Sequence, residues 1–245
     1  RNNQQFQGRP LPCNRSGASK MIKNLYINGD SHIAGTFSEP TDFERSFAGV
    51  LAKKHNLDYV NHGLAGGSNP RIIRTSKEYL RDKDPKNTLV MIGWSDSARA
   101  EWLVKGKWYQ VADHQSYEIQ DNPYLNRVWK EYFSSIWKKE CDYVMLNRAI
   151  EQQYYMLEFS NWLNDAGFGH FFLWGNKSFF HKKSVFEIKW PDNVWLKNEP
   201  YNSDISFCAH SLSKGHKMDS YAHFDHLAHK DYADFIEPEF IRYLK

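Results

Sequence analysis

The 245-residue sequence predicts an α/β protein, a three-layer α/β/α sandwich around a mostly parallel sheet of about five strands. Short apolar runs of strand length alternate with segments of helical spacing between residues 22 and 92. The last of these runs, 88–92, is of the type typical of a buried strand. Strand, helix, strand, helix and strand in about seventy residues imply right-handed crossovers. The sheet is therefore expected to be parallel, with helices on both faces.

The element boundaries rest on local capping and turn patterns. Thr41 and Glu44 form a capping box that opens a helix, and Asn69-Pro70 is typical of a helix N-cap followed by proline at the first helical position. The predicted elements are strands at 22–27, 57–60, 88–92 and 168–174 and helices at about 41–55, 69–80, 142–164 and 225–243.

Two aromatic-rich segments interrupt this alternation. They cover about 104–140 and 176–217, and we interpret them as inserts over one edge of a single domain at 21–245. Residues 1–20 carry almost no apolar pattern, and we interpret them as an N-terminal leader or arm.

Composition excludes several classes of function. The net charge of +3 comes without a basic block, so we expect no nucleic-acid partner. No apolar run approaches the ~18 residues of a membrane span, and the first residues lack the apolar core of a signal peptide. Cys13, Cys141 and Cys208 show no paired spacing. They predict no intramolecular disulfide and a cytoplasmic or otherwise reducing compartment.

The candidate site centres on Ser31. The segment 27–32 reads as a strand that ends in a tight turn with a serine at its tip, where a base can reach it. Gly-Asp-Ser is also a common turn tripeptide, so the serine needs partners. The Gly-rich turn 61–69 and the segment 93–96 also follow predicted strands. Because the carboxyl ends of parallel strands share one edge, these loops are expected to converge.

Three blocks of sequence carry a resemblance to a known family. Gly29-Asp30-Ser31, then Asn61-His62-Gly63-Leu64-Ala65-Gly66-Gly67-Ser68, and finally His223-Phe224-Asp225 with His229 and Ala233 follow in order. The chain resembles the SGNH (GDSL-type) hydrolase superfamily over most of 21–245. This resemblance implies a flavodoxin-like sheet and a serine hydrolase, but says little about substrate.

The resemblance also implies residue roles. Ser31 would attack an acyl carbonyl, and His223 would take its proton because a serine hydroxyl alone is a poor nucleophile. Asp219 would orient the imidazole. The oxyanion hole would combine the backbone N–H groups of Ser31 and Gly66 with a side chain from the third block. A left-handed turn, which favours glycine, is the alternative interpretation of Gly66.

The third block departs from the family pattern. The usual Gly-x-Asn-Asp reads Gly93-Trp94-Ser95-Asp96, so a hydroxyl replaces the amide donor. Either Ser95 or Asn69 could supply the third donor. We expect Ser95 to take that role and Asn69 to cap the helix that follows.

The base has an alternative as well. His223 places Asp225 at the N-cap of the last helix, whereas His226 would have Asp225 too close along the chain to orient it. The family's usual Asp position is Ser220, so Asp219 serves only if the loop bulges by one residue. A metal site on His223, His226 and His229 lacks a completing Cys or carboxylate set, and no metal or cofactor is expected.

The sequence thus favours hydrolysis of a carboxylic ester through an acyl-enzyme, with a carbohydrate O-acetyl group as one candidate. The alternative is an SGNH-like binding or structural protein with a weakened oxyanion hole. The expected partner is a small-molecule or carbohydrate ester, and the oligomeric state stays open. Arg71, Arg74, Arg99 and Glu101 either bind an anionic substrate or pair with each other; a solvated helix face is the plainer interpretation.

Overall fold

The computed structural model describes residues 22–36, 42–111, 117–137, 141–176 and 188–244. The strands are β1 (Asn24–Asn28), β2 (Asp58–Asn61), β3 (Thr88–Trp94), β4 (Ala100–Val104), β5 (Lys107–Val111) and β6 (Gly169–Trp174). The helices are α1 (Ser31–Ala34), α2 (Phe47–Lys54), α3 (Asn69–Leu80), α4 (Tyr117–Gln120), α5 (Pro123–Trp137), α6 (Cys141–Asp165), α7 (Phe207–Ser213) and α8 (His226–Leu244).

The central sheet is parallel, in the order β2-β1-β3-β6. The predicted α/β class is therefore confirmed. Among the described residues the sheet has four strands rather than about five. A single parallel bridge, Phe172 to Trp195, takes the fifth position beside β6. The chain cannot continue as a strand there, because Lys197 and Asn198 just beyond adopt positive φ.

Helices cover both faces of the sheet, as expected from the crossovers. Because strand side chains alternate, one face of β1, β3 and β6 packs with α2, α7 and α8 in one hydrophobic cluster. The other face packs with α3 and α6 in a second cluster. Leu89 and Met91 of β3 belong to the first cluster, and Val90 and Ile92 to the second. The fully buried β3 confirms the expectation of a strand covered on both sides.

The first insert is more regular than predicted. An antiparallel hairpin, β4 with β5, begins just before it and runs into it, and the long helix α5 follows. Lys105 and Gly106 both have positive φ, which is the two-residue turn that matches the twist of a hairpin. A small cluster around Val111 and Leu125 unites hairpin and helix, with Trp102 and Trp129 packed against it. These aromatic side chains thus serve packing, and Trp108 is among the exposed ones.

The second insert also contains α7, a helix not expected from the sequence. Ser206 caps α7 by accepting a hydrogen bond from the Ala209 N–H. Trp195 is buried in the second core cluster, and Trp190 packs against it. These side chains pack beside β6, and both also line a cavity of about 270 Å³ that is separate from the Ser31 cavity.

The predicted capping box at Thr41 lies outside the described residues. Asp42 caps a short 3-10 turn, and Ser46 then caps α2, accepting from the Gly49 N–H at 3.2 Å. Within the described ranges, no helix is long and apolar enough to cross a membrane.

Candidate functional site

Glycines at the ends of three strands seat the short helix α1 on the sheet edge. A Cβ at Gly93 would lie 2.1 Å from Ile33 Cδ1, and one at Gly29 would lie 2.3 Å from Ile33 Cγ1. At Gly175 a Cβ would lie 2.8 Å from Asp30 Oδ1 and 3.4 Å from Ile33. Because these residues have no side chain, Ile33 fills the space above the strand ends. This packing holds Ser31 directly over the carboxyl end of β1.

Ser31 is the first residue of α1. Asp30 caps the helix, and its Oδ1 accepts from the His32 N–H at 3.1 Å. Ser31 is 6% exposed and faces a cavity of about 540 Å³. The cavity is lined by Ser31, His32, Ala65, Gly66, Asp96, Arg99, Asn176, Tyr221, Ala222 and His223.

The second-block loop brings Gly66 to the same cavity. Asn61 Oδ1 accepts from the Gly63 N–H at 2.8 Å, and the Leu64 N–H donates to the Gly29 carbonyl at 3.0 Å. Gly66 has φ of 72°, the left-handed conformation that favours glycine. Neither the Ser31 nor the Gly66 N–H donates to another group of the described residues, so both are available to a ligand. Their role as oxyanion donors stays a prediction.

His223 reaches the cavity from a tight loop before α8. Asp219 Oδ1 accepts from the N–H groups of Tyr221 and His223 at 2.8 and 2.9 Å, and its own N–H donates to the His223 carbonyl at 2.8 Å. Ala222 has φ of 62°, a strained conformation for a residue with a side chain. Asp219 is thus tied to the backbone of the loop that carries His223. An orienting contact from Asp219 to the imidazole stays a prediction.

The imidazole of His223 lies among charged neighbours. Burial lowers its pKa, and the carboxylates of Asp219 and then Asp30 act to raise it. The Arg99 guanidinium acts to lower it. His223 and Ser31 share the cavity without a hydrogen bond between them in this conformation. Such contacts often close only when substrate is bound.

His32 adjoins His223 on the cavity wall. The two rings meet edge-on, with centroids 5.8 Å apart. His32 Nε2 lies 3.4 Å from the sulfur of Cys208, a free and buried thiol. Burial lowers the pKa of His32 and so favours the neutral ring. Cys13 and the side chain of Cys141 lie outside the described residues, so the disulfide prediction stays open for them.

The three histidines of the last block point to different places. His223 lines the Ser31 cavity, whereas His226 lines another cavity beside α2. His229 is buried, and its Nδ1 accepts from the Phe47 N–H at 3.2 Å. Asp225 caps α8 through the N–H groups of Leu227 and Ala228, as predicted. Within the described ranges, no cluster of His, Cys, Asp or Glu could hold a metal ion.

The predicted N-cap role of Asn69 is wrong. Ser68 caps α3, accepting from the Arg71 N–H, and Asn69 is the first residue of the helix. Asn69 instead holds the third block: its Oδ1 accepts from the Ser95 N–H at 2.8 Å, and its Nδ2 donates to the Ser95 carbonyl at 3.0 Å. Asn69 Nδ2 also donates to Gln152 Oε1 on α6. These contacts leave Asn69 buried, at 2% exposure.

Ser95 is fully buried and does not line the cavity. Its hydroxyl accepts from Arg99 Nη1 at 2.9 Å. Arg99 Nη1 also lies 3.5 Å from Asp30 Oδ2, and the Arg99 side chain is only 16% exposed. From sequence, Arg99 is expected to bind an anionic substrate, to pair with a neighbouring charge or to lie on a solvated helix face. The sequence signal for its place near the site is its position four residues after Ser95, in the loop that follows β3.

Of the other charged residues named from sequence, Arg74 and Glu101 pair with each other, whereas Arg71 binds uncharged groups. Arg74 Nη2 donates to Glu101 Oε1 at 2.6 Å, and Arg74 also contacts Glu78. Arg71 Nη1 donates to the His62 carbonyl at 3.0 Å and to Asn28 Oδ1. These residues do not line the Ser31 cavity, and the pairing interpretation holds for Arg74 and Glu101.

A family model described as a family of unknown function, DUF6071, matches residues 39–188, more than half of the chain. The chain belongs to the DUF6071 family. The matched range contains Gly66, Asn69, Ser95 and Arg99, while Ser31 and His223 lie on either side of it. No curated protein matches the sequence significantly.

Solved structures similar to this DUF6071 member include several hydrolases. TesA is 12% identical, covers 90% of this chain and 99% of its own, and has a TM-score of 0.48. The psychrotrophic esterase EstA from Pseudoalteromonas sp. is 10% identical. The match covers 91% of this chain and 99% of EstA, with a TM-score of 0.48. LAE5, an alpha/beta hydrolase enzyme from the metagenome of Lake Arreo, Spain, is 11% identical. The match covers 93% of this chain and 98% of LAE5, with a TM-score of 0.47. At such identities, activity has to be argued from the site itself.

Proposed function

We propose that this protein is a serine hydrolase that cleaves a carboxylic ester through an acyl-enzyme. One observation carries the proposal: Ser31, Gly66 and His223 come from separate segments of the chain and line one cavity. The cavity opens at the carboxyl ends of the neighbouring parallel strands β1 and β3. From β1 the chain continues to β2 on one side of the pair, and from β3 it continues towards β6 on the other side. Such switch points are where open α/β sheets bind ligands.

Each residue has a defined task in the proposed reaction. Ser31 Oγ attacks the acyl carbonyl, and His223 accepts the hydroxyl proton and then passes it to the leaving alcohol. Water attacks the acyl-enzyme in the second half, with His223 again as base. The Ser31 and Gly66 amides face the developing oxyanion. Asp219 holds the His223 loop and stabilises the imidazolium by its charge.

The proposed substrate is a small ester, with a carbohydrate O-acetyl group as one candidate. Tyr221 lines the cavity and is 73% exposed, so its ring can contact the alcohol part of a substrate. The buried tryptophans of the inserts are not placed for that contact.

Covalent labelling tests the proposal without knowledge of the natural substrate. A fluorophosphonate should phosphonylate Ser31, with loss of fluoride and transfer of the hydroxyl proton to His223. Peptide mass spectrometry should find one adduct, on the peptide that contains Ser31. Wild-type protein should also turn over nitrophenyl acetate, and Ser31→Ala should lose both activities. If wild-type protein is neither labelled nor active, a binding or structural role replaces the enzyme.

The pH profile of the ester assay reports the state of His223. Because burial lowers the pKa of His223, the acid limb of kcat/KM should lie below about pH 6.5, the ordinary value for histidine. Asp219 acts to raise that pKa, so Asp219→Asn should move the limb to still lower pH. Asn can keep the backbone contacts of the loop through its side-chain oxygen. A limb that moves to higher pH in this variant would contradict the assigned electrostatics.

A further inference from the structure

Neither of the two residues predicted as the third oxyanion donor lines the Ser31 cavity. Ser95 stands where the resemblance expects an amide, but it is fully buried and lies outside the cavity lining. Asn69, the other candidate, is occupied by the backbone of Ser95 and by Gln152. Neither side chain is therefore placed to meet a carbonyl oxygen in front of Ser31.

Arg99 occupies the cavity wall instead. Its Nη1 is held by the Ser95 hydroxyl at 2.9 Å and lies 3.5 Å from Asp30 Oδ2. Asp30 directly precedes Ser31 and caps α1, so these contacts tie the guanidinium to the helix that carries Ser31. A guanidinium has five N–H donors in a rigid fork. Within the described residues, Arg99 Nε and Nη2 donate to no other group, which leaves them for the cavity.

We propose that Arg99 is the third oxyanion donor, with Ser95 and Asp30 holding its guanidinium in position. The inference rests on the proposed ester hydrolysis. When Ser31 Oγ bonds to the acyl carbon, the carbonyl oxygen takes the negative charge, and Arg99 donates to it beside the Ser31 and Gly66 amides. A charged donor makes a shorter and stronger hydrogen bond than an amide does. The buried Ser95 is thus a positioning residue.

The charges around the cavity favour this role over recognition of an anionic substrate. Asp96 lines the same cavity, and Asp30 lies buried behind Arg99. Burial favours the neutral form of His223 and of His32. The positive charge of Arg99 is therefore offset by carboxylates, and the cavity suits a neutral ester whose charge develops only during the reaction.

The Arg99→Ala variant tests the inference by the split between kcat and KM. We expect kcat for nitrophenyl acetate to fall by on the order of a hundredfold, with KM nearly unchanged, because the donor acts on the developing oxyanion. Millimolar guanidinium or ethylguanidinium should restore part of the lost rate. Arg74→Ala is the matched control: Arg74 is also half-buried and paired with a carboxylate, but it lies outside the cavity. Arg74→Ala should keep its kcat, and added guanidinium should not raise its rate.

The outcomes separate this inference from the proposed function. If Ser31→Ala is inactive but Arg99→Ala keeps its kcat, Arg99 is not a donor and the inference is overturned alone. The same holds if only KM rises, and rises more for an anionic ester, which would assign Arg99 to substrate recognition. If no ester is cleaved and Ser31 is not phosphonylated, the proposed function fails and this inference fails with it. Should Arg99→Ala not fold, Arg99→Met fills more of the space of the arginine stem without any N–H donor and is expected to show the same loss of kcat.

Discussion

The His223→Ala variant is expected to lose at least about a thousandfold in kcat, because a serine hydroxyl without a base is almost unreactive near neutral pH. The KM for a nitrophenyl ester should change little, since the imidazole acts on the proton and not on binding. The rate of phosphonylation of Ser31 should fall in parallel. The kinetic constants and the phosphonylation rate are measured on the purified protein, and thermal unfolding checks that the variant is folded.

His226→Ala provides the matched control. His226 lies three residues away, begins α8 and lines a different cavity, so its loss should leave kcat within about twofold of the wild type. The opposite pattern, with activity lost in His226→Ala and kept in His223→Ala, would show that the assigned base is incorrect.

Replacing Asn69 by Ala is expected to cost about 2–4 kcal/mol in the free energy of unfolding, because three buried hydrogen bonds disappear together. The N–H of Ser95 and the side chain of Gln152 would lose partners inside the protein. Urea unfolding, followed by tryptophan fluorescence, measures the loss. A helix-capping role would predict only about 1 kcal/mol.

Two further variants calibrate that result. Ser68→Ala removes the observed cap of α3 together with a hydrogen bond to Gln110 Oε1, and should cost about 1–2 kcal/mol. Asn164→Ala changes an exposed position on α6 and should stay within about 0.5 kcal/mol of the wild type. An Asn69→Ala loss no larger than that of Ser68→Ala would contradict the central place given to Asn69.

The strands that build the sheet could be predicted because their signal is local. A continuous apolar run such as 88–92 can be satisfied only by burial on both faces, and β3 is buried throughout. The left-handed conformation of Gly66 was predictable in the same way, because a turn that needs positive φ favours glycine. The hairpin of β4 and β5 was missed, because Lys105-Gly106 is a weak turn signal compared with Asn-Gly or Asp-Gly.

The assignment of side chains within the site could not be made in this way. Asn69 before Pro70 has the local pattern of a cap, but its partners Ser95 and Gln152 lie 26 and 83 residues away in the chain. Nothing local distinguishes the capping geometry from the tertiary one. The choice depends on how closely α3 and α6 approach the end of β3, which is set by packing of the core.

The sequence by itself determined the α/β class, the order of the central elements and the loops that meet at the sheet edge, because these follow from the periodicity of apolar residues and from the directions of parallel strands. Only the tertiary structure decided that His223 rather than His226 shares a cavity with Ser31, that Asn69 binds Ser95, and that Arg99 reaches the cavity wall. The physical reason is that side-chain partners are selected by distance and direction in space. When two partners lie on different helices or strands, their spacing along the chain gives neither the distance nor the direction between their side chains.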